Sequence, residues 1–239
     1  MTPTGSYPQP DRSLKYRDGP SPAVHAFTEL ATAAYCPRQL YYRRRDDTDP
    51  PARDDRHELA FRYPELLTPG TALADEPVAL DPAAYRSNLG RSRARLGRSR
   101  FRRLADPPGR DVRLEGKDAR GVAHKLLETP LAPSLVVAGA PPETGVWEPH
   151  TVRAVAMAKA LAWERERRVE RAFVEYPTHG VVRELELTAR RTGLYRRALR
   201  TVDGIDGPPP RVDNDSKCEA CDYREECGVR TRSLRSLLG

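Results

Sequence analysis

Residues 112–128, VRLEGKDARGVAHKLLE, decide how the rest of the chain is read. Val112–Glu115 and Val122–Glu128 have strand character on either side of a turn over Gly116–Gly121. A sheet begins here. Leu135–Ala138 predicts a third, buried strand, and Thr151–Arg168 a strong helix with Val152, Val155, Ala156 and Trp163 on one stripe, which Lys159 shares. Ala172–Tyr176 and Val181–Thr188 predict a hairpin over Pro177–Gly180, Leu185 and Leu187 alternating with Glu184 and Glu186. Ala189–Val202 predicts a further helix. Strands interleaved with helices give an α/β (α+β) class, a mixed sheet flanked by helices.

Working outward, His25–Arg45 is helical in character, with Thr28 as a cap and Phe27, Leu30, Ala31, Ala34 and Tyr35 at three- and four-residue steps. Pro37 interrupts it directly after Cys36. Asp46–Arg56 reads as a loop and His57–Leu67 as a second helix. Weak periodicity follows, through a run in which Arg86, Arg91, Arg93, Arg95, Arg98, Arg100, Arg102 and Arg103 have no acid between them. The division expected is a disordered Pro-rich leader, 1–22, and a single domain, 23–239. Within that domain lie an N-terminal helical part (25–67), a sheet–helix core (112–202) and a C-terminal cysteine segment (211–239). Leu234, Leu237 and Leu238 suit a helical turn or two in the tail. No internal repeat is present.

The chain has 239 residues, 31% charged and 38% hydrophobic, enough for one domain with a core. Lysine occurs only at 15, 117, 125, 159 and 217, so the formal charge of +7 is carried mainly by arginine, the side chain suited to phosphate. The longest uncharged apolar-looking stretch, Thr129–Pro142, contains four prolines and is shorter than the ~20 residues of a membrane helix. With no apolar segment in residues 1–22, a secretory signal is not expected either, and the reading is a cytoplasmic protein without a membrane partner.

Four cysteines carry the strongest signal: Cys36 alone, then Cys218, Cys221 and Cys227 as C-x2-C-x5-C. Two thiolates separated by two residues point from one tight turn into a common centre, which suits a metal or cluster site. In a reducing compartment structural disulfides are unusual. Four thiolates suit either zinc or an iron–sulfur cluster, and ligand type alone does not separate them. Either would staple the two ends of the domain together.

These segments, Tyr35-Cys36-Pro37-Arg38-Gln39-Leu40-Tyr41-Tyr42 and Lys217-Cys218-Glu219-Ala220-Cys221-Asp222-Tyr223-Arg224-Glu225-Glu226-Cys227, resemble those of the Cas4-type and Dna2-like nucleases of the PD-(D/E)XK superfamily. The resemblance implies a [4Fe-4S] cluster on Cys36, Cys218, Cys221 and Cys227 and the mixed sheet of that superfamily. It also implies a nuclease centre: a His after the first Cys, an Asp ending Gly-x-x-Asp, then Glu-x-Lys, and Gln-x-x-x-Tyr on the next helix. The carboxylates would hold Mg or Mn and the Lys would help activate water.

That centre is degenerate in this sequence. His57 matches the His, although a lone His is more often a surface or capping group. Gly121-Val122-Ala123-His124 puts a His in place of the Asp, and Thr129–Pro142 holds no acid or lysine, so that Leu135-Val136-Val137 or Ala138-Gly139-Ala140 replaces Glu-x-Lys. Glutamine occurs only at 9 and 39. A literal Glu-x-Lys exists at Glu115-Gly116-Lys117, next to Asp118 and followed by Glu128, but it precedes Gly121 and reads as a solvated turn.

The remaining candidate interface is arginine: Arg91, Arg93, Arg95, Arg98, Arg100, Arg102 and Arg103 for phosphate, with Phe101 for stacking a base. The favoured reading is an iron–sulfur protein of nuclease fold that binds single-stranded or end-containing DNA, or a protein partner, in repair or CRISPR-type adaptation. An active Mg/Mn-dependent single-strand DNA exonuclease and a zinc-stapled structural protein are the alternatives.

Overall fold

A computed structural model describes residues 23–47 and 55–228. The expected leader 1–22 and the tail leucines lie outside the described residues. Where His25–Arg45 was expected as one interrupted helix, a short strand β1 (His25–Ala26) leads into α1 (Phe27–Tyr35) and α2 (Pro37–Arg45). Thr28 does not cap α1: the Glu29 carboxylate accepts the Ala26 backbone N–H at 3.0 Å instead. The predicted second helix divides into a 3-10 helix at Asp55–Phe61 and α3 (Tyr63–Leu66).

The weakly periodic arginine run is helical, as α4 (Pro82–Leu96) and α5 (Arg98–Ala105). Asp81 caps α4 by accepting from the N–H groups of Ala83 and Ala84, and Pro82 is pre-set for the first turn. The buried stripe of α4 is Tyr85, Leu89, Ser92 and Leu96, correctly spaced but interrupted by a polar residue. Gly97, with φ of 80°, turns the chain between the two helices.

The sheet comprises β1, β2 (Gly109–Glu115), β3 (Ala119–Glu128), β4 (Leu131–Val136), β5 (Arg171–Tyr176) and β6 (Val181–Glu186). Its order is β1-β3-β4-β5-β6, with β2 antiparallel on β3, so the expected mixed sheet flanked by helices is present. The turn between β2 and β3 is residues 116–118, shorter than expected, because the ladder continues to Glu115 opposite Arg120. The third strand lies earlier than its apolar content suggests and includes Pro133 and Ser134. β4 pairs with β3 through residues 131–134 and with β5 through residues 134–136, so Pro133, which has no N–H, falls where only one neighbour is hydrogen-bonded.

One sheet face is covered by α1, α6 (Glu148–Glu164) and α7 (Ala189–Asp203), the other by the 3-10 helix, α3, α4 and α5. α6 buries Val152, Val155 and Ala156 as predicted, but Trp163 is 61% exposed and Lys159 also faces solvent, because the helix packs through its alanines instead. No helix among the described residues is long and apolar enough to cross a membrane.

On the second face lies a charged group with no exposure at all. Lys125 on β3 donates to Glu175 Oε2 on β5 at 2.8 Å, to the Ala60 carbonyl at 2.7 Å and to the Leu104 carbonyl at 2.6 Å. The other oxygen of Glu175 accepts from Ser134 on β4. Burial lowers the Lys125 pKa, and Glu175 opposes that shift. Removing one partner strands the other charge in the core, so Lys125→Met should lower the unfolding free energy in urea by about 3–5 kcal/mol. Lys125→Met with Glu175→Leu should recover most of that loss. A single replacement as stable as the parent protein would refute this account.

Candidate metal centre

The site at the chain's two ends starts from a broken helix. Pro37 cannot continue α1, so Cys36 adopts an extended conformation (φ −158°, ψ 111°) between α1 and α2. Its N–H donates to the Thr32 carbonyl and its own carbonyl accepts from Leu40. At the other end, Asn214 caps the short helix α8 (Asp215–Glu219), which carries Cys218. Successive turns follow, with Cys221 N–H donating to Cys218, Arg224 to Cys221 and Cys227 to Tyr223. These turns bring the C-x2-C-x5-C thiols to the side of the domain where Cys36 sits.

All four thiols are free and line one small cavity of about 20 Å³. Tyr35, Arg38, Gln39, Lys217, Tyr223 and Arg224 also contribute to its wall. Gln39 donates to Cys221 Sγ at 3.8 Å, and Tyr42 stacks on Tyr223 with ring centroids 5.4 Å apart. Lys217 donates to the Tyr35 carbonyl at 3.0 Å and lies over that residue's ring. Burial, then the neighbouring Cys227, Cys36 and Cys221, raise the Cys218 thiol pKa. Among the described residues, no three His, Cys, Asp or Glu side chains form a group that could hold a single metal ion.

A second candidate site lies where the β3–β4 ladder ends, at Lys125 opposite Ser134. Beyond that pair, the His124 side chain enters between the strands and accepts the Val136 N–H at Nδ1, 2.8 Å away. Accepting there leaves the proton of the neutral ring on Nε2. The Arg153 guanidinium on α6 lies 3.4 Å from Nε2, and the His57 ring meets the His124 ring edge-on at 5.9 Å. The structure therefore brings His57 beside His124, the residue expected from the resemblance to stand in place of the Asp of Gly-x-x-Asp. Leu135 and Val136 lie on the neighbouring strand as expected, whereas Ala138-Gly139-Ala140 falls beyond its end. Close by in the fold, His150 at the start of α6 meets the Tyr176 hydroxyl at 3.0 Å.

The other carboxylate candidates do not converge. Glu115, opposite Arg120, borders the β2–β3 turn that carries Lys117 and Asp118, while Glu128 ends β3 eight residues further on, about 27 Å away at the rise of a strand. Several arginines of the run have partners within the fold. Arg100 pairs with Glu184 at 2.9 Å, Arg103 donates to the Thr129 carbonyl, and Arg91 is held by Ser87 and Asn88. Arg93, Arg95, Arg98 and Arg102 are exposed around two differently directed helices. Phe101 is not available to a base: it is 3% exposed and stacks on Tyr63, because α5 turns Phe101, Leu104 and Ala105 inward.

Sequence reasoning passed over Lys125, Ser134, Glu175, Arg153 and Arg183. The signal for the first and third was a charge inside an otherwise apolar strand, Lys125 in residues 122–127 and Glu175 in residues 172–176. No protein-family model matches the chain, and no curated protein matches it.

Two measurements follow from this geometry. Burial and then Arg153 lower the His150 pKa from 6.5 to about 4. Between those values the unfolded chain binds the extra proton, so His150's contribution to stability is complete above about pH 6.5 and is lost as the pH falls toward 4. Unfolding free energies of the parent protein and of His150→Gln should accordingly converge with acidification; a constant difference over that range would contradict the assignment. On the expectation that one group bound by Cys36, Cys218, Cys221 and Cys227 would staple the two ends, Cys36→Ala and Cys221→Ala should each lower the melting midpoint of the whole domain in one transition. Loosening of the C-terminal segment alone, with the sheet unchanged by circular dichroism, would show that it does not act as a staple.

Proposed function

We propose that this chain is an iron–sulfur protein of nuclease-like fold that binds single-stranded or end-containing DNA without hydrolysing it. The observation that carries this reading is the convergence of Cys36, from a helix break near one end, with Cys218, Cys221 and Cys227 from the other, around one cavity. The residues fit a [4Fe-4S] cluster: four thiols as ligands, and Arg38, Lys217, Arg211 and Arg224 around them to offset the negative charge of thiolate and sulfide. Such a cluster fastens the ends of the domain together. Gln39, hydrogen-bonded to Cys221, orients one ligand.

The residues at the break in the β3–β4 ladder do not fit Mg or Mn. Hard divalent cations take oxygen donors, and this position presents two imidazoles and a guanidinium. His124 is already engaged by the Val136 N–H. These groups offer no oxygen-ligand site for a hydrolytic metal ion, which supports binding rather than cleavage. The basic charge of the chain, mostly arginine, supports a phosphate-bearing partner. The resemblance places such a protein in DNA repair or CRISPR-type adaptation, where a protein partner would also dock.

Purification without oxygen should yield brown protein with about four iron and four sulfide per chain. The same sample should bind a single-stranded oligonucleotide and leave it intact in Mn²⁺. Colourless protein carrying zinc would overturn the cluster assignment, and Mn²⁺-dependent degradation by pure, loaded protein would restore the enzyme.

A further inference from the structure

Between α4, the start of β6 and the 141–145 loop runs an open groove of about 420 Å³, within the range of sites that hold small molecules or short segments of a longer ligand. Arg91 and Arg95, one helical turn apart on α4, line one side, and Arg183 on β6 lines it from the sheet. Only the first two belong to the arginine run visible in the sequence.

The groove is built rather than incidental. Ser92, between the two arginines, donates to the Gly180 carbonyl at 3.0 Å and accepts the Val182 N–H at 3.1 Å, which fixes the rotation of α4 about its axis. Gly180, with φ of 63°, lets the helix lie directly on the β5–β6 turn, since a Cβ there would come within 2.8 Å of the Tyr85 carbonyl. Asn88 donates to the His179 carbonyl and accepts from the Arg91 guanidinium, holding that side chain in place. Arg183 donates to the Glu143 carbonyl at 3.2 Å, which ties down the loop stiffened by Pro141 and Pro142. The Nε of Arg183 is buried without a hydrogen-bond partner.

Among the described residues, three guanidinium groups and one acidic side chain, Glu143, line the groove, and no aromatic ring does. That chemistry recognises phosphate without stacking bases. We propose that this groove holds the phosphodiester backbone of a single nucleic-acid strand, with Arg91, Arg95 and Arg183 as its phosphate contacts. The inference rests on the DNA-binding reading above and specifies its surface. It assigns no phosphate contact to Arg98 and Arg102, which belong to the same run but lie outside the groove.

The test is fluorescence anisotropy of a labelled oligothymidylate with the full-length, cluster-loaded protein across a salt series. Arg95→Ala with Arg183→Ala should weaken binding by roughly tenfold and reduce the slope of log affinity against log salt by about 1.4, the value for two single-strand phosphate contacts. Arg98→Ala with Arg102→Ala should leave both unchanged. Arg95→Ala alone, at an exposed position, should reduce the slope by about 0.7 and serves if the double variant folds poorly. Equal losses in the two pairs, or losses only in the second, would overturn the groove while leaving DNA binding intact. Failure of the parent protein to bind the strand would instead overturn the DNA-binding reading, and the groove's occupant with it. A labelled mononucleotide binding as tightly as the strand would replace the strand by a free nucleotide.

Discussion

The buried ammonium of Lys125 is the contact on which the architecture depends. A fully desolvated charge is tolerated only if each of its protons is used, and here the three go to Glu175, Ala60 and Leu104. Two of those acceptors are carbonyls near the C-terminal ends of the 3-10 helix and α5, where backbone oxygens lack partners within their own helix and carry the negative end of its dipole. One side chain thus completes the ends of two helices and ties both to the sheet. Glu175 balances the charge, and Ser134 satisfies its second oxygen from the strand between. The position of α5 relative to the sheet follows from this contact, and α4 is joined to α5 through Gly97.

The two candidate sites have opposite characters. The four thiols reach one cavity from remote parts of the chain, and Arg38, Arg211, Lys217 and Arg224 contribute to the same wall. At the ladder break, hydrogen bonding has been restored from within: the backbone N–H left over where β3 and β4 part is taken by the His124 imidazole. A carboxylate at that position could accept the same N–H and still offer an oxygen to a metal ion. An imidazole that accepts at Nδ1 carries its remaining proton outward on Nε2 and offers no lone pair there.

Much of this was legible in the sequence because periodicity reports burial. The hairpin of β5 and β6, α6, α7 and the helix break at Pro37 all fell close to their expected places. β4 did not, since Pro133 and Ser134 argue against an interior strand unless its two ladders overlap only at Ser134. α4 was hidden because its buried stripe includes Ser92, whose hydroxyl serves the sheet. The cysteines could be grouped from spacing alone, but the pairing of Lys125 with Glu175 could not. Nothing local indicates which strand faces which, and a single charge in an apolar strand reads equally well as an edge residue.

The order of the four cysteines along the chain has a consequence for biogenesis. Cys36 is synthesised before the sheet exists, whereas its three companions emerge only after β6 and α7. A nascent chain therefore carries Cys36 without the other three cysteines until the sheet and α7 have been synthesised. The cavity lined by these cysteines is therefore among the last parts of the described fold that can close, after both layers of helices and the sheet have been synthesised.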